Sequence, residues 1–149
     1  MYSGFELAEN QPTAPGSEEY KDSEKYQYRR RDWDRPGNIN ELVRRVNRIR
    51  HQHPALQVDR TLRFHATDNP ELLAYSKVSA DGGESLLMVV NLDPHHMQAG
   101  HVEVPVDRDT FVVADLLDDA HYTWHRGWNY VRFDPGVRQG HILKLEIRK

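Results

Sequence analysis

The sequence predicts a mainly β fold: an antiparallel β-sandwich that follows a loop-rich segment and one helix. Two observations carry this. From Leu62 onward the apolar residues change from helical to strand-like spacing, and the runs are short, bounded by polar residues and closely spaced, as in a sandwich. Before that point only one stretch has a helical period, and it follows a segment in which Pro and Gly among many charges leave little periodicity.

Residues 1 to 37 carry Pro12, Pro15, Gly16, Pro36 and Gly37 and read as loop. A helix is expected over 38–51. Asn38 can cap it, Glu41 stands three residues on as in a capping box, and Ile39, Leu42, Val43, Val46 and Ile49 form an apolar stripe. Arg44, Arg45 and Arg48 lie opposite and read as a solvated face rather than a phosphate patch. Arg50 and His51 suit the negative end of the helix dipole, and Pro54 stops the helix.

Strands are expected at Leu62 to His65, Leu72 to Val78, Ser85 to Leu92, His101 to Val106, Phe111 to Asp115, His121 to Trp124, Asn129 to Phe133 and Ile142 to Ile147. Ala80-Asp81-Gly82-Gly83 tolerates positive φ and predicts a hairpin joining the second run to the third. Leu86 to Val90 is apolar without alternation, which predicts a central strand covered on both faces. Val102/Val104/Val106 and Leu143/Leu145/Ile147 alternate with polar neighbours and predict strands with one wet face.

Composition narrows the function classes. The chain has 149 residues, whereas a complete (β/α)₈ barrel needs roughly 200 or more. Its 20 Lys and Arg against 23 Asp and Glu give a net charge of -3, which offers no broad attraction for nucleic acid or an anionic membrane. Cysteine is absent, so disulfides and thiolate chemistry are excluded, in keeping with a cytoplasmic protein. No stretch approaches the ~18 apolar residues of a membrane span, and the start of the chain lacks the features of a secretory leader.

The residues that could carry chemistry have competing readings. His51/His53 and His95/His96 are the closest histidine pairs, yet no third and fourth ligands have metal-site spacing, so they read as surface histidines and no metal or cofactor is expected. Asp118/Asp119 precede a strand and read as a turn rather than as the two carboxylates of a glycosidase. G-x-S-x-G, P-loop and G-x-G-x-x-G motifs are absent. Trp33, Trp124 and Trp128 could stack on sugar rings; core packing is the better account of Trp124, and Trp128, in a turn with Gly127, is open to either reading. Gly16 to Tyr26 is dense in donors, acceptors and tyrosines, as in loops that recognise polyols, although a solvated charged loop explains the same composition.

The blocks Tyr2 to Asn10, Pro15 to Tyr20, Asp22 to Tyr26, Arg31 to Asp34 and Pro36 to Ile39 resemble consecutive segments near the end of the α-1,4-glucan:maltose-1-phosphate maltosyltransferases. These belong to glycoside hydrolase family 13, the α-amylase superfamily. Leu42 to Leu56 is similar to that family's final barrel helix and its exit, and Asn91-Leu92-Asp93-Pro94 and Asn129 to Pro135 look like its C-terminal domain. The resemblance implies residues 1-57 as the end of a catalytic barrel and 58-149 as a β-sandwich of the α-amylase domain C type. It implies transfer of maltosyl units from maltose 1-phosphate to an α-1,4-glucan with retention.

The family's aspartate nucleophile, glutamate acid/base and second aspartate lie upstream of the matched blocks, so no catalytic residue is expected here. The chain then reads as a piece of a longer enzyme or a truncated gene, inactive alone, with a stand-alone carbohydrate-binding or structural sandwich as the alternative. The Glu-Lys-Tyr block implies that Lys25 and Tyr26 bind donor-side glucosyl residues. Glu6 and Asn10, just after the expected last barrel strand, are candidate substrate-binding residues in the surrounding shell. A homodimer is left open.

Overall fold

The computed structural model describes residues 4–21, 28–104 and 106–146. The chain divides into two compact units, Met1–Arg48 and Ile49–Lys149.

In the first unit a 3₁₀ turn, Phe5–Leu7, lies between Gly4 and Ala8, both left-handed at φ 88 and 53, and Leu7 is buried. A bridge from Pro12 to Tyr20 closes the following loop, with Thr13 N donating to Glu19 O at 2.8 Å and Lys21 N to Gln11 O at 2.7 Å.

Helix α1 spans Asn40–Gln52 and crosses the division between the units. Asn38 precedes it as an Asx turn: its Oδ1 accepts from Asn40 N at 3.1 Å, and its Nδ2 donates to Arg35 O at 2.7 Å. The capping box does not form, because the Glu41 carboxylate pairs forward with Arg44 on the exposed face. The apolar stripe is only partly covered: Ile49 is buried, while Leu42 and Val46 are 52% and 39% exposed.

The second unit contains every expected strand: β1 Arg63–His65, β2 Leu72–Val78, β3 Ser85–Asn91, β4 Gln98–Val104, β5 Thr110–Asp115, β6 His121–His125, β7 Gly127–Phe133 and β8 Gly140–Glu146. The largest shift is at β4, which starts at Gln98 because its first rungs are Gln98, Ala99 and Gly100, residues that pair with Phe133, Arg132 and Val131 yet carry no strand-like hydrophobic signal. Six strands form one sheet in the order β1-β2-β3-β8-β5-β6, and β4 and β7 form a second. All ladders are antiparallel. The hairpin at 80–83 pairs Val78 with Ser85 as expected.

The inner faces meet in one core that includes Leu72, Leu87, Val89, Val102, Val113, Val131, Phe133 and Leu143. Trp124 belongs to it, in line with its packing role. β3 is covered on both sides, because Leu86 and Met88 face outward and pack with Ala55 in a second cluster beside Leu56, Tyr75, Leu116 and Ile142. Ala55 sits in a 3₁₀ turn, Pro54–Gln57, that Glu84 clips in place: its two oxygens lie 2.6 Å from His53 Nδ1 and 3.1 Å from Ala55 N. Among the described residues no helix is long and apolar enough to cross a membrane.

Candidate functional site

In the first unit a cavity of about 300 Å³ is lined by Ala8, Glu9, Asn10, Gln11, Lys21, Arg29 and Arg35. Its wall is braced by Glu9, whose Oε2 accepts from Arg31 Nε at 2.9 Å and whose Oε1 lies 3.6 Å from Arg35 Nη1. The Arg31 side chain is almost fully buried, and Arg35 also donates to the Leu7 carbonyl. A charged group taken out of water needs such a partner. Gly4 is required beside it: at φ 88 a Cβ would lie 2.3 Å from Glu9 Oε2.

Of the expected site residues, Asn10 lines this cavity, with its side chain exposed. Glu6 is half-buried and does not line it; its carbonyl instead accepts from Ile39 N at 2.7 Å. Lys25 and Tyr26 lie outside the described residues. Sequence reasoning passed over Glu9, Arg31 and Arg35, and the sign of them was a carboxylate and two guanidiniums in otherwise loop-like blocks.

Among the described residues no group of three or more His, Asp or Glu could hold a metal ion. The Asn91 to Pro94 block builds a loop instead. Asp93 Oδ1 accepts from His95 N at 2.9 Å and His96 N at 3.0 Å, and its Oδ2 from Gln98 Nε2 at 3.0 Å. These bonds, that to His95 N first, hold the Asp93 carboxyl well below the usual carboxylate range.

In the second unit the polar feature of greatest burial is Asp115, at the inner end of β5. Its side chain is fully buried, with Oδ2 2.8 Å from Arg138 Nη1 and 2.6 Å from His141 Nδ1. Arg138 also pairs with Asp118; burial works against its charge, and hydrogen bonds to Asp118 and Tyr122 outweigh that, holding Arg138 above its ordinary value.

Arg138 and His141 form one wall of a cavity of about 560 Å³ whose other lining includes Tyr122, Trp124, Tyr130 and Arg132. A shallower hollow of about 580 Å³ shares Tyr122, Trp124 and Tyr130 and continues to His101, His125 and Trp128. Together they run between β6 and β7, each of which pairs with a single strand among the described residues. Asn129 sets the corner between these strands: its Oδ1 accepts from His125 N and its Nδ2 donates to His125 O, both at 2.8 Å. Trp128 and Tyr130 point outward from β7 and are 50% and 58% exposed. Trp33, in the first unit, is 45% exposed.

The chain is similar to known proteins over almost all of its length. A model of the family described as "GLGE, C-terminal" matches residues 64–145. An α-1,4-glucan:maltose-1-phosphate maltosyltransferase from Methylacidiphilum infernorum is 45% identical over 147 residues, 95% of this chain and 22% of that protein. The corresponding enzyme of Rhodospirillum rubrum is 41% identical over 151 residues, 97% of this chain and 22% of that protein. Maltosyltransferase 2 of Streptomyces coelicolor is 46% identical over 155 residues, 97% of this chain and 23% of that protein. The chain thus spans less than a quarter of the length of the curated relatives it matches. With more than half of its residues inside the family match, all of them in the strand-bearing unit, the chain belongs to the GLGE C-terminal family.

Proposed function

We propose that this chain is the C-terminal portion of a retaining maltosyltransferase that moves maltosyl units from maltose 1-phosphate to the non-reducing end of an α-1,4-glucan, with release of phosphate. The observation that carries the reading is identity of 41–46% to three such enzymes along 95–97% of this chain. Residues 1-57 are assigned to the end of the catalytic barrel and 58-149 to the sandwich domain. The uncovered Leu42 and Val46 on α1 support this, since an amphipathic helix needs a partner for its apolar stripe.

The catalytic carboxylates are assigned to the portion of the longer relatives that this chain does not match. A retaining mechanism needs a covalent acceptor for the glycosyl unit and a proton donor for the leaving group, so this chain by itself is inactive in this reading. Lys25 and Tyr26 are assigned to donor-side glucosyl hydroxyls, to which an ammonium donates and a phenol both donates and accepts. Glu6 and Asn10 are assigned to the surrounding shell of the substrate site, Asn10 on the loop that Glu9 and Arg31 brace. The absence of cysteine fits work in a reducing cytoplasm.

The test is a chimera in which this chain replaces the matching portion of the Methylacidiphilum infernorum enzyme. Phosphate release from maltose 1-phosphate with a short malto-oligosaccharide acceptor is expected from the chimera and not from the 149-residue chain alone. Lys25→Ala in the chimera is expected to lower kcat/KM by roughly tenfold or more. An inactive chimera that is folded, or an active isolated chain, overturns the reading.

A further inference from the structure

We propose that the groove between β6 and β7 is a holding site for an α-1,4-glucan chain, with Trp128 and Tyr130 as its stacking platform. The choice of glucan rests on the maltosyltransferase reading above. The groove itself rests on the geometry of the second unit.

Core packing does not explain these two rings. Their neighbours on β7 that point inward, Asn129, Val131 and Phe133, are buried, while Trp128 and Tyr130 stay half in water. Two residues apart on one strand, they share a face at a spacing of about 7 Å, a scale suited to successive sugar rings. The apolar face of a pyranose packs on an aromatic plane, and its hydroxyls seek donors and acceptors beside it.

The platform is also held in place. Across the ladder Tyr130 faces His101, and their rings meet edge to face at 5.6 Å between centroids. His101 is fixed in turn by Asp68, which accepts from His101 N at 2.6 Å and lies 2.7 Å from its Nδ1. Those two contacts, the backbone one first, hold the Asp68 carboxyl below the usual range. An aromatic residue with few free torsions, oriented before binding, loses little entropy when a ligand stacks on it.

The rest of the groove suits a neutral polyol. Among the described residues β6 and β7 each have one edge outside the ladders; Asn129 occupies the backbone groups of His125 there, and backbone groups further along such an edge are of the kind that hydroxyls can meet. Arg132, Arg138 and Asp134 line it, and Arg138 is already paired with Asp115 and Asp118, so the rim carries both signs of charge. Pro54–Gln57 packs against Leu86 and Met88 on the outer face of the large sheet, whereas β7 belongs to the opposite layer.

The experiment is affinity electrophoresis of the full 149-residue chain in gels that contain glycogen, with a soluble β-1,4-glucan as the comparison. Retardation by glycogen is expected, with much less by the β-1,4-glucan. The double variant Trp128→Ala/Tyr130→Ala is expected to weaken the apparent affinity by roughly tenfold or more, as truncation of central aromatic anchors does. Its far-UV circular dichroism should match the parent; if it does not, Trp128→Ser alone carries the same reading. Unchanged mobility of the parent in glycogen, equal retardation of the folded variant, or equal retardation by both polysaccharides overturns the proposal. Phosphate release by the chimera on a short acceptor, with Trp128 and Tyr130 intact, reads the maltosyltransferase assignment separately, so the failure of either is distinguishable.

Discussion

The Asp115 side chain is fully buried, and its carboxylate is held by Arg138, just before β8, and by His141, within β8. Its Oδ1 accepts from Leu117 N at 3.1 Å as well, so the same side chain shapes the turn after β5. Removing a buried partner leaves the others desolvated without compensation, which costs more than the net worth of the pair. Asp115→Ala is therefore expected to destabilise the sandwich by about 3–5 kcal/mol, measured by urea unfolding followed by circular dichroism. A loss below about 1 kcal/mol would mean that water replaces the carboxylate. The residue scale is also where sequence reading reached least. Glu9, Asp115 and Arg138 are ordinary charged residues in a sequence where 29% are charged, and only folding brings each to its partner. Lys25, Tyr26, Glu6 and Asn10 came from resemblance, and of the two that lie among the described residues Asn10 alone lines the first unit's cavity.

At the scale of elements the sequence was far more legible, because strand faces repeat every two residues and leave a pattern that no tertiary contact is needed to see. Leu86 to Val90 announced a strand covered on both faces; Leu86 to Val89 are buried and Val90 is partly exposed. The start of β4 was hidden for the opposite reason: Gln98, Ala99 and Gly100 pair through the backbone and offer no apolar alternation. Helix α1 was visible in its stripe, but its start was not, since Asn38 bonds two residues on and Glu41 pairs with Arg44. The join of β8 to β3 carries a sharper test. A Cβ on Gly140 would lie 2.6 Å from the Val89 carbonyl, an atom fixed in the central ladder. Gly140→Ala is expected to cost about 1–3 kcal/mol in urea unfolding, since the clash is with backbone and no rotamer relieves it.

For the whole molecule, both apolar clusters lie within residues 55 to 145, inside the second unit. Residues 49–149 expressed alone are thus expected to unfold in one cooperative transition, with circular dichroism and tryptophan fluorescence giving the same midpoint. Acid should weaken that transition. Asp59, paired with Lys77, and Asp68 and Asp93, hydrogen-bonded, all have carboxyls held below the ordinary value in the fold. A depressed folded value means stability that is present above the unfolded pKa of about 3.9 and lost as pH falls through the folded values. The midpoint should be level above about pH 5 and drop in more acid solution. Finally, the six-and-two division of strands has a consequence of its own. At roughly 4.8 Å per strand, a pair of strands is too narrow a roof for a floor three times as wide. Hollows must open along its eaves, and one such hollow lies on the β1 side, by Arg63, His65 and Ser76, as another lies on the β6 side. Concavity in this domain is set by strand arithmetic rather than by small side chains, so residues at the eaves can change while the recess persists.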